Sequence, residues 1–418
     1  MTFHSPASRP NPDQRKNSHV IGIVDPVSGG AYLAERLLAR GIGCVAITTA
    51  PGRHAGLAYL DVLDLTSTTF EAELEHYRFA AILPGAESGV LLAELLSTRF
   101  GLPGNDPLSS HLRRNKVAMA EAVDKVGIAI CRQARVTSLE TCVAWARSSG
   151  FPVVVKPEAS SGSDLVRRCM TEAQLRRHAS LILGGPDKYG RTTESLLLQE
   201  WMRGDEYTVD GVVTDGALRV FAVGRYRKIT RDGAMIYDRI DFFAPDDRQI
   251  DPRILAYATA VAQAVEVRVG PVHAEIMLTP EGPRLVEIAA RAHGGIGTAV
   301  IDRHVSPSFI DAILAAAEGG QADAVPVTQR RAAAIAFLIN DAEGALVSMP
   351  GEQMIRALPS FVSLTWLAKP GERLARTMDL ATCPGLVELA HDDQGQIDAD
   401  IGRLRGLERD NRLLEMAR

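Results

Sequence analysis

GPVHAEIMLTPEGPRLVEIAARAHGG, residues 270–295, consists of two apolar runs around Thr279-Pro280-Glu281-Gly282-Pro283. Apolar segments of this length flanking a Pro/Gly turn predict a β-hairpin. Folding the hairpin about Glu281 sets Glu275 opposite Glu287, because each lies six positions from that centre. Alternate residues of a strand share a face, so His273 joins them. Carboxylates directly opposed across a hairpin repel, and an unpaired carboxylate among apolar neighbours is costly. Positive charge is therefore expected between them. A divalent cation with hard oxygen ligands meets that need, and Mg²⁺ bridging phosphate oxygens is the usual form of such a site. The plainer alternative is the acidic, solvent-facing side of an ordinary hairpin.

Working outward from the hairpin, other segments supply complementary groups. Lys156 closes the run Phe151-Pro-Val-Val-Val-Lys156, so its stem leaves an apolar strand, and a buried ammonium calls for an anion. The residues that follow, Glu158-Ala-Ser-Ser161-Gly162-Ser163, offer hydroxyls and free backbone N–H groups able to close over phosphate oxygens. The spacing is not that of a P-loop, and a lysine at a strand end can also be purely structural. Lys116 opens a helix upstream as a second cation. In Gln199-Glu200-Trp201-Met202-Arg-Gly-Asp-Glu206 a strand runs into a short linker and a second strand. Backbone donors and apolar side chains at Glu200, Trp201 and Met202 suit an adenine ring, and Glu206 could accept ribose hydroxyls. Core packing of Trp201 and Met202 is the rival reading.

In chain order, the helix lysine, Val-Lys-Pro with its small-residue loop, Gln-Glu-Trp-Met-x-Gly-x-Glu, His-Ala-Glu and Val-Glu-Ile-x-x-Arg followed by Gly-Gly resemble the ATP-grasp family over roughly residues 20–320. The resemblance implies that Lys116 and Lys156 hold the α- and β-phosphates and that Ser161, Gly162 and Ser163 form a phosphate loop. It further implies that Glu200, Trp201, Met202 and Glu206 bind adenosine. Glu275 and Glu287 would carry one or two Mg²⁺, with Mn²⁺ as a substitute, and Arg291 would face the γ-phosphate and an acyl-phosphate. Lys228 stands where many members place a γ-phosphate lysine, with Arg225 and Arg227 as alternatives. His273 is a candidate proton acceptor, or simply an orienting partner of Glu275. Many members have Asn two residues after the second metal-binding Glu, where this chain has Ala289.

The amino-terminal third alternates strand and helix: strand 19–25, a Ser28-Gly29-Gly30 turn and helix, strand 44–48, helix 70–77, strand 79–83 and helix 87–99. This predicts a parallel sheet flanked by helices. Val24-Asp25-Pro26-x-Ser28-x-Gly30, Gly85-Ala-Glu87-Ser-Gly-Val90 and the run from Gly101 to Lys116 resemble the L-amino-acid ligase subgroup. That likeness implies ATP-dependent joining of two amino acids, or of an amino acid and a related acid, into a dipeptide through an acyl-phosphate. The alternatives are another ATP-grasp carboxylate–amine ligase or carboxylase, and a non-catalytic nucleotide-binding module.

The expected architecture is α/β and α+β. A disordered tail occupies 1–18, a Rossmann-like α/β domain 19–106, a small lid 107–195, a central antiparallel-sheet domain 196–325 and a carboxy-terminal subdomain 326–418. Strands 332–339 and 362–367 and a closing helix 397–416 fall in the last, which carries no catalytic signature. At 418 residues with 46% hydrophobic content the chain can bury several cores. Aromatic content of 5% and a net charge of −5 argue against single-stranded nucleic acid and anionic membranes as partners. Small amino-acid substrates are the expected partners, and a homodimer is compatible with the sequence. Five cysteines without metal spacing fit a reducing cytoplasm. No apolar run reaches the ~18 residues of a membrane span.

Overall fold

Val20–Val24 is a continuous apolar strand with every residue buried, as expected in a parallel sheet covered on both faces. It pairs in parallel with Gly43–Thr48 on one side and Phe79–Pro84 on the other, and Asp61–Asp64 completes a four-stranded sheet. Helices Gly29–Leu38 and Val90–Arg99 pack on it. The expected helix 87–99 begins with a 3-10 turn at Glu87–Gly89, and the helix expected at 70–77 is shorter, Phe70–Leu74. The computed structural model describes residues 20–158, 165–186, 192–231, 234–320 and 325–417. The proposed tail 1–18 and the loop residues Ser161, Gly162 and Ser163 lie outside the described residues.

A second four-stranded sheet has the order Gln133–Val136, Leu196–Glu200, Val153–Pro157, Arg167–Cys169 and is antiparallel throughout. Helices Leu139–Ser149 and Glu172–Ile182 bury Cys142, Ala146, Leu175 and Ala179 against it. Strand Leu196–Glu200, grouped by the sequence with the segment that follows it, pairs within this smaller sheet. Its Leu196, Leu197 and Leu198 are fully buried there, which explains the preference.

The largest sheet has eight strands. In spatial order they are Gly282–Ala289, Gly270–Thr279, Asp205–Thr214, Ala217–Arg231, Ala234–Phe243, Ala332–Phe337, Gly385–His391 and Phe361–Trp366. Three strands from beyond residue 326 thus continue the sheet formed by 205–289, while Arg373–Leu374, Gly344–Ser348 and Glu415–Met416 form a small sheet of their own. The closing helix, expected at 397–416, runs Gln394–Arg409, and Glu415–Met416 instead pairs with Gly344–Ser348. The chain leaves helical geometry after Arg409, with Asn411 at φ 53.

Buried Arg113 ties helix Val90–Arg99 of the parallel sheet to the end of helix Pro252–Ala264. Its Nε donates to Glu94 Oε1 at 2.9 Å, Nη2 to the Asp106 carbonyl at 2.8 Å and Nη1 to the Val265 carbonyl at 3.0 Å. Gly29 shows a second close approach, since a Cβ there would lie 2.2 Å from the His293 carbonyl oxygen.

Candidate active site

The hairpin forms with Glu275 directly opposite Glu287. Its route to that register differs from the simple fold about Glu281. The turn pairs Thr279 with Gly282, a register that by itself would set Glu275 against Val286, and an irregularity between Glu275 and Ile276 restores the opposition. A bulge of this kind re-aims side chains beside functional sites.

Positive charge meets the pair from a neighbouring helix. Asn115 caps Lys116–Lys125 by accepting from the backbone N–H groups of Val117 and Ala118. The cap places Lys116 in the first turn, where its Nζ lies 2.9 Å from Glu287 Oε2. Burial disfavours the Lys116 ammonium, but Glu287 and the more distant Glu87 and Glu275 outweigh this and raise its pKa. Lys156, buried at the end of its strand, has the opposite balance. Burial, reinforced by repulsion from Lys116, lowers its pKa to about 8.

His273 Nδ1 lies 2.8 Å from Asp210 Oδ1, and its Nε2 faces Glu275 Oε1 at 3.5 Å. His293 Nδ1 meets the other Asp210 oxygen at 3.0 Å. The three groups are close enough to share an ion, but each Asp210 oxygen is already used by one imidazole. Burial opposes the charge on His273, and the Asp210 carboxylate overrides it and lifts the pKa to about 9. For His293 burial wins and the pKa falls. Burial likewise disfavours the Glu275 carboxylate, yet its bond to His273 and the charges of Lys228 and Lys116 hold it well below the usual range.

Lys228 Nζ donates to both Glu206 oxygens at 2.7 Å and sits 4.4 Å from the centre of the Tyr237 ring. Arg291 Nε donates to Glu87 Oε2 at 3.1 Å. Glu200 Oε1 accepts from the Arg132 backbone N–H at 2.9 Å, and the Trp201 ring carries the Arg168 guanidinium at 4.7 Å.

One cavity of about 640 Å³ gathers these groups. It is lined by Lys116, Lys156, Glu200, Trp201, Met202, Glu206, Lys228, His273, Glu275, Glu287 and Arg291, and by Arg227, whereas the other alternative to Lys228, Arg225, stays outside it with its guanidinium over the Phe243 ring. The smaller sheet contributes one wall and the large sheet the other. Sequence reasoning missed Asp210, although Glu206, Thr208 and Asp210 recur with period two along Asp205–Thr214 and Asp210 pairs with His273. It also missed Tyr226, Tyr237, Met378, Leu380 and Leu386, which line the cavity and carry no local motif. Ser28, from the first turn, reaches the site by accepting from the Gly295 N–H at 2.6 Å.

Residues 149–300 match the model of the ATP-grasp domain. This stretch of the chain is an ATP-grasp domain. Across its length it is 29% identical to dapdiamide A synthase of Enterobacter agglomerans over 413 residues, 94% of this chain and 97% of that protein. It is 26% identical over 260 residues to an L-arginine-specific L-amino acid ligase of Bacillus subtilis, 61% of this chain and 62% of that protein. In three dimensions the chain shares its fold with L-amino acid ligase from Bacillus licheniformis. The TM-score is 0.78 at 15% identity, covering 96% of this chain and 100% of that one. Among the described residues, no helix is long and apolar enough to cross a membrane.

Proposed function

We propose that this protein is an ATP-dependent carboxylate–amine ligase that joins two amino acids, or an amino acid and a related acid, into a dipeptide. The observation that carries the reading is the single cavity in which a cationic set, a carboxylate pair and an apolar nucleotide-sized wall converge. The kinship with proteins named as a dapdiamide synthase and an L-amino acid ligase supports it.

Trp201, Met202 and the Glu200 backbone would take the adenine, with Glu206 near the ribose. Lys116 and Lys156 would hold the phosphates. The donor set of Glu275 and Glu287, two hard carboxylates facing one another beside compensating cations, fits Mg²⁺. When bound, the metal would neutralise phosphate charge. No further ligand comes from position 289, which is alanine.

A substrate carboxylate oxygen then attacks the γ-phosphorus, the bond to the β–γ bridging oxygen breaks, and ADP leaves an acyl-phosphate. The amine nitrogen of the second substrate attacks the acyl carbon, the C–O bond breaks, inorganic phosphate departs, and the amine proton passes to solvent or a base. Phosphoryl transfer of this kind depends on positioning and charge neutralisation, which Arg291, Lys228 and the lysine pair supply. His273, held charged by Asp210 at neutral pH, is better suited to orienting Glu275 than to accepting that proton.

Incubation with ATP, Mg²⁺ and pairs of amino acids tests the proposal, with phosphate release and product mass as readouts. A product whose mass differs from the sum of the two substrates less one water, or no phosphate with any carboxylate and amine, would overturn it.

A further inference from the structure

Beyond the glutamate pair, the cavity continues into an apolar hollow, walled by Tyr237, Ile335, Phe337, Met378, Leu380 and Leu386. Its distance from the chemistry is short. A Cβ on Gly294 would lie 4.0 Å from Arg291 Nη1, and one on Gly295 would lie 3.4 Å from Leu386 Cδ1. The two glycines form a thin corner with the guanidinium on one side and the hollow on the other.

The wall is built and held. Tyr237 and Phe337 rings stand 5.2 Å apart, centre to centre, and Tyr226 lies 5.0 Å from Tyr237. Met378 and Leu380 sit in a turn closed by Thr382, whose Oγ1 accepts from the Met378 and Asp379 N–H groups at 2.8 and 3.0 Å, while Asp379 Oδ1 accepts from the Thr382 N–H at 3.0 Å. Buried Thr377 anchors the turn, its Oγ1 accepting from the Asn340 N–H at 2.9 Å. The six wall side chains carry no ionised group, and the Lys228 ammonium over the Tyr237 ring is already bonded to Glu206, so a charged substituent placed among them would lose hydration that the wall does not replace.

We propose that this hollow is a specificity subsite for one of the two amino acids, and that it selects a large apolar side chain of leucine, methionine or phenylalanine size. Met378 and Leu380, from a segment without a catalytic motif, determine that choice. The inference rests on the ligase reading for its use in turnover, but binding tests it separately. Each buried methylene contributes ~0.8 kcal/mol, so leucine should exceed alanine by well over tenfold in kcat/KM at the selected position.

The experiment uses the full chain with ATP and Mg²⁺ for turnover, and with a non-hydrolysable ATP analogue and Mg²⁺ for calorimetry. Leucine, methionine, phenylalanine, alanine, aspartate and lysine are offered at each position. Leucine, methionine or phenylalanine should be preferred over aspartate and lysine by at least tenfold at one position. Leu380→Asp should lower kcat/KM for leucine at least tenfold and narrow the gap to lysine, with analogue affinity unchanged. Met378→Ala, the milder change, should cost phenylalanine more than alanine. Amide formation restricted to charged or small amino acids, or variants that depress all substrates alike, would overturn the subsite and leave the ligase reading standing. Leucine bound in calorimetry without phosphate or amide would support the subsite and overturn the ligase reading. Neither binding nor turnover would overturn both.

Discussion

Lys116 Nζ lies 2.9 Å from Glu287 Oε2, so a helix start and a hairpin separated by 170 residues of chain balance each other's charge inside one cavity. Glu287→Gln keeps the size of the side chain and removes the charge that Lys116 and a metal would share. Turnover should fall by about 10²-fold or more, a loss comparable to removing one preorganised electrostatic group, while circular dichroism and Tm stay close to the parent. Activity within a fewfold of the parent at saturating Mg²⁺ would count against the metal assignment.

Arg291 faces the cavity while its Nε is braced by Glu87. Stabilisation that grows only as charge develops affects rate far more than binding. Arg291→Met should therefore bind a non-hydrolysable ATP analogue nearly as the parent does and release phosphate about 10²–10³-fold more slowly. Calorimetry and a phosphate assay on the same preparation check the two halves. A variant with normal turnover would move the role to Lys228 or its arginine neighbours.

Lys156 yields a pH dependence with a definite sign. Burial and Lys116 lower its pKa to about 8, so above that pH the ammonium is increasingly deprotonated before nucleotide arrives. Phosphate oxygens favour the charged form, and binding must then take up a proton. Nucleotide affinity should weaken as pH rises from about 8 towards 10, and calorimetry in buffers of different ionisation enthalpy should register proton uptake in that window. Lys156→Met should abolish the uptake; its persistence in the variant would assign it to another group.

Arg113 and Glu94 form a buried ion pair. Removing one partner leaves the other charge uncompensated, at a typical cost of about 3–5 kcal/mol. Arg113→Ala should lower the unfolding free energy by about that amount in denaturant titration. A change under about 1 kcal/mol would show that water or Arg114 replaces the lost guanidinium.

The parts of this site that were legible in the sequence are those in which chemistry and periodicity coincide locally. Glu275 and Glu287 announce themselves because a Pro/Gly turn between apolar strands brings the two carboxylates near one another, although their direct opposition also needs the bulge at Glu275/Ile276, which lies below what periodicity resolves. Lys156 is visible because a cation ending an apolar run is anomalous. Asp210 is not visible, since its importance comes from contacts with His273 and His293, 63 and 83 residues away. Leu196–Glu200 was grouped with the strand that follows it, because sequence proximity says nothing about which sheet supplies the hydrogen-bond partners. The apolar wall at Met378, Leu380 and Leu386 looks like ordinary core until the fold turns it towards Arg291.

Three carboxy-terminal strands extend the sheet that bears the glutamates, with Ala332–Phe337 hydrogen-bonded to Ala234–Phe243. Severing the chain near residue 325 would uncover the long edge of Ala234–Phe243, a template for pairing with other chains. It would also remove the wall at Leu380 and Leu386. The wall of the proposed subsite and the closed edge of the sheet therefore rest on the same segment of chain. Exchanging the wall for that of a relative would require transplanting strands that fit this edge, whereas point changes on the Met378–Leu380 turn could retune the choice of substrate and leave the sheet closed.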